Sequence, residues 1–297
     1  MQIKTKKTLI ILTVVVLIAS ATIYYLYHEN KSEVIFFDVG QGDSILINLP
    51  GNNEVLIDGG PDSTVLYKLG KYLPIYNRDI ELMILTHPHA DHITGLLEVL
   101  KRYKVKQVMY TDVNYNAENY NQFIKILKHE NIKTIKISDI NLDENNFLQI
   151  IYPWGNPKDL ESENQNNNSI VVKLITKVGL NFLLTGDIEA EIEEILISKN
   201  NVGLKHPLDV SNSLDLSANI LKVAHHGSIT SSNQDFLQAV QPEQAIISVG
   251  KDNKFGHPSL RVIRRLERMG IEVLRTDEIG DIVIKIKDEI SKIKNKD

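Results

Sequence analysis

THPHADHITG, residues 86–95, follows directly on the apolar run ELMILT, residues 81–86. Three histidines and one aspartate fall within the six positions from His87 to His92. ELMILT is nearly continuous in apolar residues, the pattern of a strand buried on both faces. DHITGLLEVLKRY has helical spacing, with Ile93, Leu96, Leu97 and Leu100 on one side. The residues between strand and helix face an open crevice in such a connection. His87 and His89 stand two apart in an extended loop, and Pro88 between them discourages a helical turn. Asp91 takes the N-cap position of the helix and His92 follows it. The pairs His87/His89 and Asp91/His92 therefore predict ligands for two metal ions. A helix cap with incidental surface histidines accounts for one such residue, not for four.

The rest of the composition narrows the chemistry. The chain has 297 residues, and 42% hydrophobic and 24% charged content suit a globular protein with a sizeable core. It has no cysteine, which removes disulfides, thiolate ligands and cysteine nucleophiles together. Any metal must sit among His, Asp, Glu and Asn. A net charge of −5 does not suggest coating of nucleic acid by bulk charge. At the N-terminus, Lys4, Lys6 and Lys7 precede an uncharged run from Thr8 to Tyr27. That run has the roughly 20 residues a membrane span needs, and the lysines ahead of it place the start in the cytoplasm. Residues 1–30 are expected to be a single-pass anchor, or a signal peptide cleaved near Ala19-Ser20-Ala21. Either way residues 31–297 form the exported body, at the cell membrane or secreted.

Apolar runs in the body alternate with turns and helices. VIFFDVG, DSILINL and NEVLIDGG read as three strands in series. Helical spacing follows at 62–72, near 117–130, at 188–198 and at 259–269, interleaved with the strands KQVMYT, KTIKI, NFLQIIYPW, SIVVKLI, NFLLTGD, ANILKVAHHGS, QAIISVG, EVLRTD and GDIVIKI. Residues 155–168 and 200–217 read as exposed loops. Strands and helices in two successive blocks predict a layered α/β domain. NFLLTGD ends in Asp187 and LKVAHHGS in His225 and His226, each at a strand end. With the 87–92 cluster they complete a two-metal site. Two such ions lower the pKa of a bridging water and offset charge on the attacked group.

HPHADH, TGD and HHGS in this order resemble the metallo-β-lactamase superfamily. FDVGQGDS, LIDGG, NNNS, LLTGD, LKVAHHGS, AIISVG, FGHPS and RTDEIGDIVI further resemble the C-terminal hydrolase domain of the ComEC family of DNA-uptake competence proteins, from about Val34 to Ile286. The resemblance implies a four-layer αββα sandwich. It implies His87 and His89 on one metal, Asp91 and His92 on the other, Asp187 as bridge, and His226 completing the second site. Asn168 stands where the superfamily usually has a further histidine, as a weak or water-mediated ligand. Asp58 matches a supporting aspartate, and Asp43 is expected near the metals. Asp91, His225 and His257 are the candidate catalytic and substrate-contacting residues. Arg261, Arg264, Arg265 and Arg268 share one side of a helix, as a phosphate track or as a solvated face.

A carboxylate bridge without thiolate makes β-lactam hydrolysis a weak candidate. The expected activity is a phosphodiesterase or nuclease on DNA, with two divalent ions, zinc or manganese. The alternatives are a cell-surface phosphodiesterase of the phosphorylcholine or teichoic-acid type, and a membrane-anchored binding module without turnover.

Overall fold

Alternation along each strand decides the layering. The computed structural model describes residues 2–29, 31–51, 53–154, 163–202 and 214–286. Its strands are β1 (Glu33–Phe36), β2 (Ile45–Leu49), β3 (Asn53–Ile57), β4 (Asp79–Leu85), β5 (Lys104–Tyr110), β6 (Lys133–Ile135), β7 (Ile140–Asn141), β8 (Asn146–Tyr152), β9 (Val171–Thr176), β10 (Phe182–Leu184), β11 (Ile220–Lys222), β12 (Gln244–Ile247), β13 (Glu272–Arg275) and β14 (Ile282–Lys285). Among the described residues they form two sheets of seven, ordered β14-β1-β2-β3-β4-β5-β6 and β13-β12-β11-β10-β9-β8-β7. Val34 and Phe36 of β1 and Leu82 and Ile84 of β4 point into the space between the sheets, where they meet Val172, Phe182 and Ile220 of the second sheet. Their neighbours Ile35, Met83 and Leu85 point outward, against helices.

Three helices cover the outer face of the first sheet: α2 (Thr64–Tyr72), α3 (Ala90–Leu100) and α4 (Glu118–His129). The second sheet is covered by α5 (Ala190–Val202), α6 (Gln234–Val240) and α7 (Leu260–Arg268). Because both faces of both sheets are buried, the strands read as continuous apolar runs rather than alternating ones. The expected four-layer αββα sandwich is the architecture found. A short α8 (Thr276–Ile279) and the two-residue β7 are additions that the periodicity did not announce.

Each sheet has an antiparallel and a parallel part. β3, β4, β5 and β6 run parallel in the first, and β10, β11, β12 and β13 in the second. The loops leaving the C-terminal ends of β3, β4, β10, β11 and β12 carry Asp58, the 87–92 cluster, Asp187, the 225–226 histidines and Ser248. Glycine lets these loops close on α3. A Cβ on Gly95 would lie 1.9 Å from the carbonyl oxygen of Gly59, and one on Gly42 would lie 2.2 Å from that of Asp91.

Two expectations need correction. The N-terminal segment is a helix, α1 (Gln2–Glu29), but among the described residues no helix is long and apolar enough to cross a membrane. The anchor expected at residues 1–30 is thus not supported by the fold. The second correction concerns the polar stretch 155–168. Residues 155–162 lie outside the described residues, but Gln165–Asn168 is a 3-10 turn whose Asn166, Asn167 and Asn168 are buried rather than exposed. Of the loop expected at 200–217, residues 203–213 also lie outside the described residues.

Buried acids in the sheet give the fold a pH signature. Glu54 on β3 accepts from Asn77 Nδ2 at 2.6 Å. Burial and the like-charged neighbour Glu81 push its carboxyl up to about 7 from an ordinary 4.5. Between those values the folded chain holds a proton that the unfolded chain has released, so stability falls as pH rises through that window. Glu193, also pushed up to about 7 by burial, acts in the same direction. Thermal melts from pH 5 to pH 8 are expected to lose several degrees, and Glu54→Gln to lose fewer. An unchanged slope in that variant would remove Glu54 as a source.

Candidate metal centre

Asp187 is the centre of the site. It follows β10 after Gly186, is buried, and its backbone amide donates to Ser169 Oγ at 3.0 Å. Its Oδ2 lies 3.2 Å from His92 Nε2, 3.3 Å from His226 Nε2 and 4.0 Å from His87 Nε2. Asp91 Oδ2 lies 3.3 Å from His226 Nε2 and 3.9 Å from His92 Nε2. Ligand atoms of Asp91, His92, Asp187 and His226 all fall within 4.8 Å of one another. On the other side of Asp187, His87 Nε2 and His89 Nδ1 approach to 3.1 Å.

The hydrogen bonds behind the rings decide which nitrogens face inward. His92 Nδ1 donates to Asp58 Oδ2 at 2.7 Å. His226 Nδ1 donates to the Ser248 carbonyl at 2.9 Å. Thr86 Oγ1 gives its proton to Asp58 Oδ2 at 2.6 Å, so toward His87 it accepts, from Nδ1 at 3.1 Å. All three rings thus turn Nε2 toward Asp187. In His92 and His226 that atom is buried and has no hydrogen-bond partner. Inward lone pairs, outer nitrogens tied to carboxylate, hydroxyl or carbonyl, and a shared carboxylate are the donor set of a divalent cation site. His87, His89, Asp91, His92, Asp187 and His226 would hold such ions. Three residues of the site, Asp58, His225 and His226, adopt φ of 57°, 49° and 54°, a region unusual for residues with side chains.

The side chains set each other's charge. Burial alone would keep His92 and His226 neutral, but Asp187 outweighs it, helped by Asp58 at His92 and Asp43 at His226, and both rings are raised well above the ordinary histidine range. Burial and the neighbouring His92 hold His87 and His89 low. Burial opposes ionisation of Asp187, yet His226, His92 and Lys222 hold its carboxyl well below the usual range. Protons drawn onto His92 and His226 by these carboxylates are what a metal would displace.

All six expected ligands meet here, and Asp58 and Asp43 lie beside them. Asp43 Oδ1 is 3.4 Å from His226 Nδ1, and Asp43 Oδ2 is 4.0 Å from His92 Nδ1. His225 is half-buried; its Nδ1 lies 3.3 Å from Glu189 Oε1. His257 stands one ring further out, 5.6 Å from His225 between centroids. Asn168 donates from Nδ2 to Gln165 Oε1 at 3.3 Å. The amide that meets the site histidines is instead that of Asn166, whose Nδ2 is 3.4 Å from His225 Nε2 and whose Oδ1 is buried without a hydrogen-bond partner. Arg265 donates to the Ser232 carbonyl, while Arg261, Arg264 and Arg268 are exposed.

One functional residue escaped the sequence reading. Lys222, at the end of β11, is fully buried, ion-pairs with Asp43, donates to the Gly186 carbonyl at 2.9 Å and lies 3.4 Å from Asp187 Oδ1. It is a fixed internal cation beside the Asp187 carboxylate. Its signal was present: a lysine inside the apolar strand ILKVA, at a position whose alternation points with Ile220 between the sheets.

This fold and donor set define a class of metal-dependent hydrolases. The chain belongs to the metallo-beta-lactamase superfamily, whose model matches residues 37–251. It is 29% identical over 282 residues to ComE operon protein 3 of Bacillus subtilis (strain 168), covering 88% of this chain and 34% of that protein. It is likewise 29% identical over 261 residues to Competence protein ComA of Neisseria gonorrhoeae, covering 85% and 32%. The chain therefore spans about a third of the length of these relatives. Among solved structures, the metallo-beta-lactamase fold protein YhfI from Bacillus subtilis matches with a TM-score of 0.53 at 15% identity, over 86% of this chain and 100% of that one. That likeness concerns the fold.

Lys222 yields a prediction about the centre. Removing one partner of a buried ion pair costs about 3–5 kcal/mol, because the other charge is left without compensation. Lys222→Met is expected to lose that much in chemical denaturation in EDTA, and Asp43→Asn added to it is expected to recover a part. A single variant as stable as the parent would show that the amine carries no such role.

Proposed function

We propose that this chain is a phosphodiesterase that hydrolyses DNA with two divalent ions. The observation that carries the reading is the convergence of Asp91, His92, Asp187 and His226 on one point, with a carboxylate and no thiolate between two groups of histidines. When bound, the ions supply an activated water and offset negative charge on the attacked phosphoryl group. The chain's own residues do the rest. Asp58 and the Ser248 carbonyl hold His92 and His226 in one tautomer and orientation. Lys222 keeps Asp43 and Asp187 ionised in a buried setting. His225 and His257 stand outside the ligands, where burial holds both rings low and therefore neutral near pH 7. A neutral ring with one N–H donates a hydrogen bond to a phosphoryl oxygen. DNA as substrate is supported by relatives that carry the names Competence protein ComA and Recombination protein 2.

Work outside the cytoplasm belongs to the same proposal. Its support is the layout of an export signal at the N-terminus, with Lys4, Lys6 and Lys7 ahead of the uncharged run from Thr8 and the small residues Ala19-Ser20-Ala21 within it. Protease added to intact cells is expected to digest the body of the chain. Full protection, with the body released only on lysis, would overturn this location.

The activity is tested with single-stranded DNA, a phosphorylcholine ester and bis(p-nitrophenyl) phosphate, each with Mn²⁺ or Zn²⁺. DNA and the synthetic diester are expected to be cleaved. Asp91→Ala is expected to lower both rates at least about a hundredfold, as loss of a metal-holding group does, with a melting temperature close to the parent's. Retained DNA cleavage in Asp91→Ala removes the mechanism. Metal binding without turnover on any substrate identifies a binding module instead.

A further inference from the structure

We propose that Phe255 is a stacking platform for an unpaired base of single-stranded nucleic acid, flanking the phosphodiester held at the metal centre. The inference rests on the phosphodiesterase reading and adds the form of nucleic acid that the site accepts.

Four rings lead from the ligands to solvent. His226 is buried, and His225 follows at 6.1 Å between centroids. His257 lies 5.6 Å beyond, and Phe255 a further 5.9 Å from His257. Burial fades along the way: His225 and His257 are half-buried, and Phe255 is 57% exposed. The planes of Phe255 and His257 differ by only 15°, so the exposed ring continues the imidazole as a stack.

Single exposed apolar residues are common and carry no meaning alone. This one is held in place. Asn253 Oδ1 accepts from the amides of Phe255 and His257, both at 3.1 Å. Its Nδ2 donates to the carbonyls of His257 at 2.6 Å and Gly250 at 3.0 Å. Gly256, at φ 72°, makes the turn between the two rings. The loop is also fastened to the site, since Ser259 N donates to the Gly227 carbonyl at 2.9 Å, next to the histidine pair. The aromatic face is therefore pre-organised at a fixed place beside the centre.

Charge around the ring fits a nucleic-acid strand. Lys254 Nζ sits 5.4 Å from the Phe255 centroid, and Lys251 is exposed on the same loop. Asp252 is also exposed there. Arg275, in the cleft beyond His257, is held by Asp277 at 2.6 Å and Glu278 at 2.7 Å. Lys251 and Asp252 line that same cleft, and Lys254 is the cation beside the Phe255 ring. A paired duplex keeps its bases stacked on one another and offers no face to an outside ring. An unpaired base does, and base–aromatic stacking is a general device of single-strand binding.

The full chain with Mn²⁺ is tested on a mixed-sequence single-stranded oligonucleotide and on methyl p-nitrophenyl phosphate, whose only ring is the leaving group. Phe255→Ala is expected to raise KM for the oligonucleotide roughly tenfold, with kcat unchanged and both constants for the small diester unchanged. Phe255→Trp is expected to restore KM. Fluorescence anisotropy of the same oligonucleotide in EDTA is expected to show the same loss of affinity in Phe255→Ala without turnover. Equal oligonucleotide binding by parent and Phe255→Ala overturns the platform, as does equal loss on both substrates. If the parent cleaves neither substrate, the phosphodiesterase reading falls, and the anisotropy comparison alone decides the platform.

Discussion

Everything in the site follows from the need to keep several charges out of water at one point. Asp43, Asp58, Asp187, Lys222, His92 and His226 are all buried, and Asp91 is largely so. An isolated ion in such a place is unaffordable, and only pairing with good hydrogen bonds keeps it there. The chain meets this need with alternating signs. Lys222 lies between Asp43 and Asp187, and His92 and His226 lie between Asp187 and the outer carboxylates. The pattern also explains the buried Nε2 atoms of His92 and His226, which have an ionic neighbour but no hydrogen bond. A divalent cation completes what the protons on these rings do only in part.

The fold makes that arrangement affordable to the backbone. Loops leaving the C-terminal ends of β3, β4, β10 and β11 deliver Asp58, the 87–92 cluster, Asp187 and His226, while the β1–β2 loop delivers Asp43 and Lys222 stands on β11 itself. The strands themselves bury apolar residues on both faces, so their ends are rigid. Where loops must pass closer than a side chain allows, glycine stands, as at Gly59 and Gly95. Left-handed backbone at Asp58 and His226 then accompanies two polar side chains turned inward at strand ends.

How much of this was legible in the sequence depends on the kind of signal. Apolar runs and helical spacing are properties of neighbours in the chain, so the layers, most elements and the 87–92 cluster were readable within a few residues. α3 was expected from Asp91 and begins at Ala90; α7 was expected from Ser259 and begins at Leu260. Asp187 and His226 were readable because each closes a strand with chemistry in it. Lys222 was not read, since a lysine in a strand ordinarily marks an exposed or edge position, and only the partners from distant loops make it internal. Asn166 was displaced by Asn168 for a similar reason. In the run of three asparagines from Asn166 to Asn168, only the 3-10 turn decides which amide meets His225. The uncharged N-terminal run shows the opposite failure, a strong local pattern although no helix among the described residues is long and apolar enough to cross a membrane.

The two sides of Asp187 are not equivalent, and the difference gives the site a direction. One side has Asp91, His92 and His226, two of them fully buried and each fixed by a neighbouring loop or helix. The other has buried His87 and half-buried His89, whose ring meets Tyr115 edge-on at 6.0 Å, and Asn168 stands where the superfamily usually has a further histidine. Fewer strong donors and greater exposure occur together there. His225 lies next to Asn166, His257 next to His225, and Phe255 outermost. The rings of His225, His257 and Phe255 therefore run outward from the ligands, with Glu189 beside the first and Lys254 beside the last. A substrate whose phosphodiester is flanked by flat, uncharged groups matches that order.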